Sequence, residues 1–453
     1  MRVSPAQLAR QLESVLGSDG AVTNAPGELA SHAVDGTPPV LVCTPGTAEQ
    51  IPAALRICAE AEAVVTPWGG GTAMAIGNLP SKVEVIVGLN RLSRVVEHDP
   101  ANLTLTVEAG ISLMSLQEYA ARQKQFLPFD APYPSTATVG GTIAANLNGP
   151  RRSFYGAIRD LVIGMKVALA SGAQIKAGGK VVKNVAGYDM CKLFVGSLGT
   201  LGIITETTLR MSPVPETAGT LLAVGTPLHI TELAHEIARS RLNPTAIFIS
   251  NGQANASKTP APFGKEQREK VRETSGRLTG DWQLALWSEG FAENVHRHLR
   301  DAELLAERIG LSCERLRDGN HQQYWNDLRD FPLRSDRLVY RLAVPLSAVT
   351  EVMHAMADWK TADFDPEIVS DAAVGTIWVA AAQYQNSAGQ FTKLKTLARE
   401  HGGNAVMLTA PAAYKLAIDV WGSSPPGLSL MRKVKGEFDP KGILNPGRFV
   451  AAM

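Results

Sequence analysis

Clustered cysteine, an excess of charge of either sign and a long apolar run are all missing from this chain of 453 residues. Its four cysteines, Cys43, Cys58, Cys191 and Cys313, are scattered, with no CxxC pair. An Fe–S cluster needs about four thiolates brought together, so this chain is not expected to hold one by itself. The four read instead as buried small apolar side chains. Lys and Arg number 44 against 43 Asp and Glu, a balance that leaves no footprint for nucleic acid or an anionic membrane. No apolar run approaches the roughly 20 residues that span a bilayer. The opening, MRVSPAQLARQLESVLG, mixes polar residues into every turn and lacks the apolar core of a signal peptide. It reads as an amphipathic helix of a cytoplasmic protein.

The length suggests more than one domain, and 45% apolar with 19% charged residues is an ordinary globular composition. A short apolar run, Pro39–Cys43, precedes a helix opened by Thr47 with Gln50 three residues on. Ile51, Leu55 and Cys58 share one face of that helix, and Val64–Thr66 form the next strand, parallel to the first. Strands are expected at Val83–Val87, Leu92–Val96 and Leu103–Val107, with a turn at Asp99-Pro100 and a helix from Ser112 to about Gln123. Val162–Ala170 and Ile203–Met211 are further strands. Pro213 and Pro215 mark a boundary, beyond which short strands alternate with polar helices, as in an antiparallel sheet with helices on one face. The expected domains are 1–215, 216–405 and a returning C-terminal segment, 406–453.

Glycine is abundant, at 41 residues, and it is bunched. Trp68, Gly69, Gly70, Gly71, Thr72, Ala73 and Met74 follow a strand, and adjacent glycines let backbone amides approach a phosphate. A dinucleotide-binding Rossmann turn would need GxGxxG opening a helix, whereas this loop runs on into another strand. A turn without a ligand reads equally well for this loop alone. In a second loop, Ser135, Thr136 and Thr138 precede Gly140 and Gly141, with a short helix expected at Thr142–Asn146. Glycines ahead of a helix start suit an anion, and a loop capped by its own hydroxyls is the alternative. Two such loops together favour a ligand with a pyrophosphate. A third segment spaces Gly196, Gly199 and Gly202 by three residues ahead of an apolar strand. Asp189 can cap the short helix before them, and the glycines would serve either a tight strand entry or an aromatic ligand lying flat.

Taken together, PWGGGT, the run ATVGGTIAANLNGPRRSFYGAIRDLVIG, VVKNVAGYD with LFVGSLGTLG, and the tail MRKVKGEFDPKGILNPGRF resemble the vanillyl-alcohol oxidase type of FAD-binding protein. More narrowly, they resemble the E-type FAD-binding subunit of bacterial glycolate oxidase (glycolate dehydrogenase). The likeness is dense over about 35–215 and 425–450. It implies an α+β fold: a two-lobed FAD-binding domain of the p-cresol methylhydroxylase/vanillyl-alcohol oxidase type, with an antiparallel-sheet cap domain. It also implies that Trp68–Met74 wrap the pyrophosphate and that Ser135, Thr138, Gly140, Gly141 and Asn146 line the phosphate and flavin edge. Gly202, Ile203 and Ile204 would run beside the ring, with Asn445 returning to the cofactor domain. The first loop holds neither His nor Cys, so FAD is expected to be non-covalent.

The same resemblance implies oxidation of glycolate or a similar small 2-hydroxy acid. It implies a hetero-oligomer with a sibling FAD subunit and an Fe–S subunit, peripheral at the inner membrane through those partners. The catalytic sibling carries HxGDGNxH, where this chain has only RLRDGNHQQ, with Arg315 in place of the first His and His321 one position early. No metal is expected, and Asp-Gly-Asn reads as a turn. Arg337 and Arg341 could bind a carboxylate, or simply lie on an exposed strand face. Lys183, Arg151, Arg152 and Tyr188 could touch substrate, FAD or a sibling subunit. Trp282, Trp287 and Trp378 read as core. A free-standing FAD oxidase of another alcohol, and a subunit that keeps the fold without chemistry, remain open.

Overall fold

The computed structural model describes residues 3–180, 189–251, 282–357, 359, 366–382, 387–416 and 418–453. Lys183 and Tyr188 lie outside them, as does most of the segment 251–264. The chain forms two compact units. The first comprises 1–148, 156–213 and 411–453, and the second 149–155 with 214–410.

In the first unit, a four-stranded sheet has the order Ala21–Thr23, Leu41–Thr44, Val85–Gly88, Val65–Trp68. Leu41–Thr44 and Val65–Trp68 are each parallel to Val85–Gly88, which lies between them. The helix Gln50–Glu60 provides the crossover, burying Ile51, Leu55 and Cys58 completely. The Gln50 carboxamide accepts from the Gly46 and Thr47 amides, so it satisfies backbone groups just ahead of the helix. A second, antiparallel sheet has the order Val95–Asp99, Thr104–Glu108, Ile203–Arg210, Val162–Ala168, Gln174–Gly178. Its first strand begins three residues later than the apolar pattern suggests. Leu92 is buried from a turn instead, accepting from Gly110 with its carbonyl.

The second unit is built on an eight-stranded sheet. Its order is Ser312–Leu316, Thr217–Gly225, Trp282–Gly290, Ala246–Asn251, Glu367–Asp371, Thr376–Ala381, Leu338–Ala343, Asn404–Thr409. Every pairing in it is antiparallel. Strand alternation gives the sheet two characters. On one face Tyr340 stacks on Phe391 of the helix Ser387–Glu400, and Trp282 meets His354 of the helix Val349–Ala357. The register places Arg341 opposite Trp378 on the other face, together with Phe248, Trp287 and Thr220. One helix, Asp318–Asp330, covers part of that second face: Trp325 donates to the Thr220 hydroxyl, and His321 bonds the same oxygen through Nδ1 at 2.8 Å. Asp-Gly-Asn is therefore the first turn of a helix rather than a free-standing turn.

Candidate functional site

A cleft in the first unit collects the glycine-rich segments. Its walls are Pro67–Met74, Ile76, Leu89, Thr138, Gly140, Gly141, Ala144, Ala145, Leu198, Gly199, Gly202, Ile203, Ile204, Asn445 and Arg448. The empty space, including its open mouth, is about 740 Å³. Among the residues singled out from sequence, Ser135 and Asn146 lie outside this lining, and both are exposed. Asn146, at φ 51°, ends the short helix Val139–Ala145.

The strand Val65–Trp68 delivers the chain into the first loop. Among the described residues, no protein acceptor takes the backbone N–H of Gly69, Gly70, Gly71, Thr72 or Ala73. Backbone amides left without acceptors beside a cleft are available to an anionic ligand. The glycines are needed for a reason beyond approach to a ligand, because this loop nests against the second one. A Cβ on Gly69 would lie 2.2 Å from the Thr138 hydroxyl, and a Cβ on Gly70 only 1.7 Å from the Thr136 carbonyl oxygen.

The second loop contributes differently. The Thr138 hydroxyl caps the helix by accepting from the Gly141 amide, and Gly140 N–H donates to Ala109 O. Both glycines thus sit inside the first turn with their amides already engaged. What they offer the cleft is the absence of a side chain.

The C-terminal segment locks these pieces together. Asn445 N–H donates to Val65 O and Val65 N–H to Ile443 O, placing Leu444 beside the strand as an isolated parallel bridge. The Asn445 carboxamide donates to Leu198 O at 2.8 Å, joining the first and third glycine segments. Lys435 donates to Thr200 O and Leu444 O, and is paired with buried Asp439. Burial lowers the Lys435 pKa, and Asp439 opposes that shift.

Three groups that sequence did not single out sit behind the first loop: Asp35, Lys415 and Arg448. Arg448 is 2% exposed and donates to the carbonyls of Met74, Ile76 and Asn78 and to Asp35. Lys415, 4% exposed, donates to Asp35 at 2.8 Å and to Ala75 O at 2.6 Å. Burial lowers the pKa of both cations, with Asp35 pulling each back up. Arg448 is the arginine of the NPGR string, so its position was within reach of sequence; nothing local marks Asp35 or Lys415.

In the second unit, Arg315 pairs with Glu303, and Arg337 shares Glu367 with Arg334. Arg151 makes a two-pronged bond to Glu289 and lies 4.4 Å from the centre of the Trp287 ring. Burial pushes His321 down to about pKa 4, so it is a neutral core imidazole. Trp282, Trp287 and Trp378 are buried. Arg341 stands apart: among the described residues no carboxylate pairs with it, and burial and the Arg152 charge both lower its pKa. No group of three or more His, Cys, Asp or Glu that could hold a metal occurs among the described residues. No helix among them is long and apolar enough to cross a membrane.

Loop amides without acceptors, side-chain-free walls and nearby buried cations suit an anionic ligand, and likeness to known proteins gives the class: an FAD-linked oxidoreductase. Residues 39–178 match the FAD binding domain family, and residues 422–449 match the C-terminal domain of FAD linked oxidases. Solved structures agree on the fold. A 4-ethylphenol oxidase from Gulosibacter chungangensis superposes with TM-score 0.71 at 16% identity, covering 98% of this chain and 96% of its own. A p-cresol methylhydroxylase gives 0.70 at 17%, with 98% and 96% covered. Among curated relatives, "Glycolate oxidase subunit GlcD" of Bacillus subtilis is 27% identical over 97% of this chain and 96% of that protein. "Glycolate oxidase subunit GlcE" of Escherichia coli is 28% identical over 79% and 85%. A "D-lactate dehydrogenase" of Archaeoglobus fulgidus is 28% identical over 93% and 95%. The chain thus carries an FAD binding domain, resembles FAD-linked hydroxy-acid dehydrogenases over most of its length, and shares its fold with these phenol-oxidising flavoproteins.

Proposed function

We propose that this chain binds a small 2-hydroxy acid such as glycolate and works as one FAD-bearing subunit of a hetero-oligomer with a sibling flavoprotein and an Fe–S partner. Arg341 carries this reading. A half-buried guanidinium with no carboxylate partner among the described residues is costly, and a substrate carboxylate would neutralise it. Trp378, its cross-strand neighbour, offers an apolar wall beside it. The names of the relatives point the same way, since they are glycolate oxidase subunits and dehydrogenases of D-lactate and D-2-hydroxyglutarate.

Bound FAD would supply the acceptor for the hydride leaving C2. It would be held without a covalent bond, because no His, Cys or Tyr among the described residues lines the cleft. The chain supplies a cation for the carboxylate, yet a base for the hydroxyl proton is not evident: Arg315 is engaged by Glu303, and His321 is buried against Thr220. General-base assistance is worth roughly 10²–10⁴-fold, so turnover is expected to need the partner subunits. The four dispersed cysteines, three of them buried, leave Fe–S chemistry to another chain.

Anaerobic mixing with excess glycolate tests both halves. The isolated FAD-loaded chain should bleach slowly, and the assembled complex quickly. In the complex, Arg341→Leu should raise the glycolate KM about 10- to 100-fold, the loss of a charged hydrogen bond, while Arg337→Leu changes it little. Rapid bleaching of the isolated chain would place the whole active site here. An unchanged KM in Arg341→Leu would remove this chain from substrate binding.

A further inference from the structure

Behind the pyrophosphate loop, one carboxylate faces two cations. Asp35 is the carboxylate that pairs with Lys415 and with Arg448 among the described residues. All three side chains are at most 4% exposed, so the cluster carries a formal charge of +1 in surroundings that screen it poorly. Its remaining donors are spent on the loop itself, since the carbonyls of Met74, Ala75, Ile76 and Asn78 all accept from these two cations. Carbonyls at and just beyond the end of the loop are therefore held by these two cations, while among the described residues no protein acceptor takes the amides of Gly69–Ala73.

We infer that Lys415, 340 residues from the loop in sequence, is a positioning residue for the cofactor's pyrophosphate, and that its charge is balanced by that bound anion rather than by the protein. An uncompensated buried cation destabilises a chain that has no ligand. Two phosphate charges arriving on the amide side would relieve that penalty, so part of the cofactor's affinity is stored in the empty protein as strain of charge. A strut that merely tied the loop to the C-terminal segment would behave differently, because its removal would weaken the empty and loaded forms alike.

Two substitutions separate these roles by sign. Lys415→Met leaves Asp35 and Arg448 as a balanced pair. The apoprotein should melt at the wild-type temperature or higher, yet bind FAD about tenfold more weakly, since one buried positive charge facing the anion is lost. The rise in melting temperature on adding FAD should shrink. Asp35→Asn leaves two cations facing each other. Its apoprotein should melt lower than wild type, and its FAD-induced rise in melting temperature should be larger. Dissociation constants come from flavin fluorescence quenching and melting from calorimetry, so neither readout depends on turnover. FAD binding by Lys415→Met within threefold of wild type would overturn the inference, as would a lower apoprotein melting temperature in that variant. If Asp35→Asn folds, FAD-induced shifts that move the same way in both variants would overturn it too.

Discussion

The two units use buried charge in opposite ways. In the second, cations mostly close on carboxylates of the same unit: Arg151 on Glu289, Arg315 on Glu303, Arg334 and Arg337 on Glu367. In the first, among the described residues, the cluster at the end of the glycine loop is left one positive charge in excess, and five amides of that loop lack protein acceptors. Buried polar groups are ordinarily satisfied. Where a protein completes its own bonds, it is building structure; where it stops short, it is shaped for something else. In the second unit Arg341 resembles the first, since among the described residues no carboxylate pairs with it.

The largest effect that would break this contrast is expected at Gly70. Asp at that position would drive its Cβ into the Thr136 carbonyl, 1.7 Å away, and would set a carboxylate beside the phosphate site. The purified variant should contain no FAD and show no rise in melting temperature when FAD is added, with the second unit still folded. Wild-type flavin content in Gly70→Asp would reduce the loop to a mere turn.

A smaller effect belongs to the second unit and to pH. Burial holds His321 at about pKa 4, against roughly 6.5 in an unfolded chain. The unfolded state therefore binds the extra proton first as pH falls. The stability contributed by the neutral imidazole is full above pH 6.5 and is lost between 6.5 and 4, by about 3 kcal/mol at most. Melting curves between pH 7.5 and 4.5 should show that decline, flattened in His321→Gln. An equal slope in the variant would mean that another group titrates.

Much of the cofactor cleft was legible in the sequence, because its demands are local. Three bunches of glycine and the NPGR tail named most of its walls before any fold was known. The details that depended on contacts between distant segments were not legible. Gly140 and Gly141 read as free amides ahead of a helix. In the folded chain the Thr138 cap draws them into the first turn, and Ala109, from a distant segment, takes one of the amides. Gly70 read as room for a phosphate, whereas its Cβ direction points at a second loop. Asp35 and Lys415 carry no local signal, since only tertiary folding brings them 2.8 Å apart across a separation of 380 residues. In the second unit, Arg337 and Arg341 looked alike as alternating strand cations. Glu367, paired with one of them and not the other, separates them.

Amide hydrogen exchange on the apoprotein and on the same protein saturated with FAD tests the central claim most directly. The amides of Gly69–Ala73 should exchange fast in the apoprotein, where no protein acceptor holds them. Bound FAD should slow them strongly, while the amides of Gly140 and Gly141, already bonded within the protein, change far less. Unchanged exchange across Gly69–Ala73 in a protein that demonstrably holds FAD would contradict the account, because the pyrophosphate would then lie elsewhere.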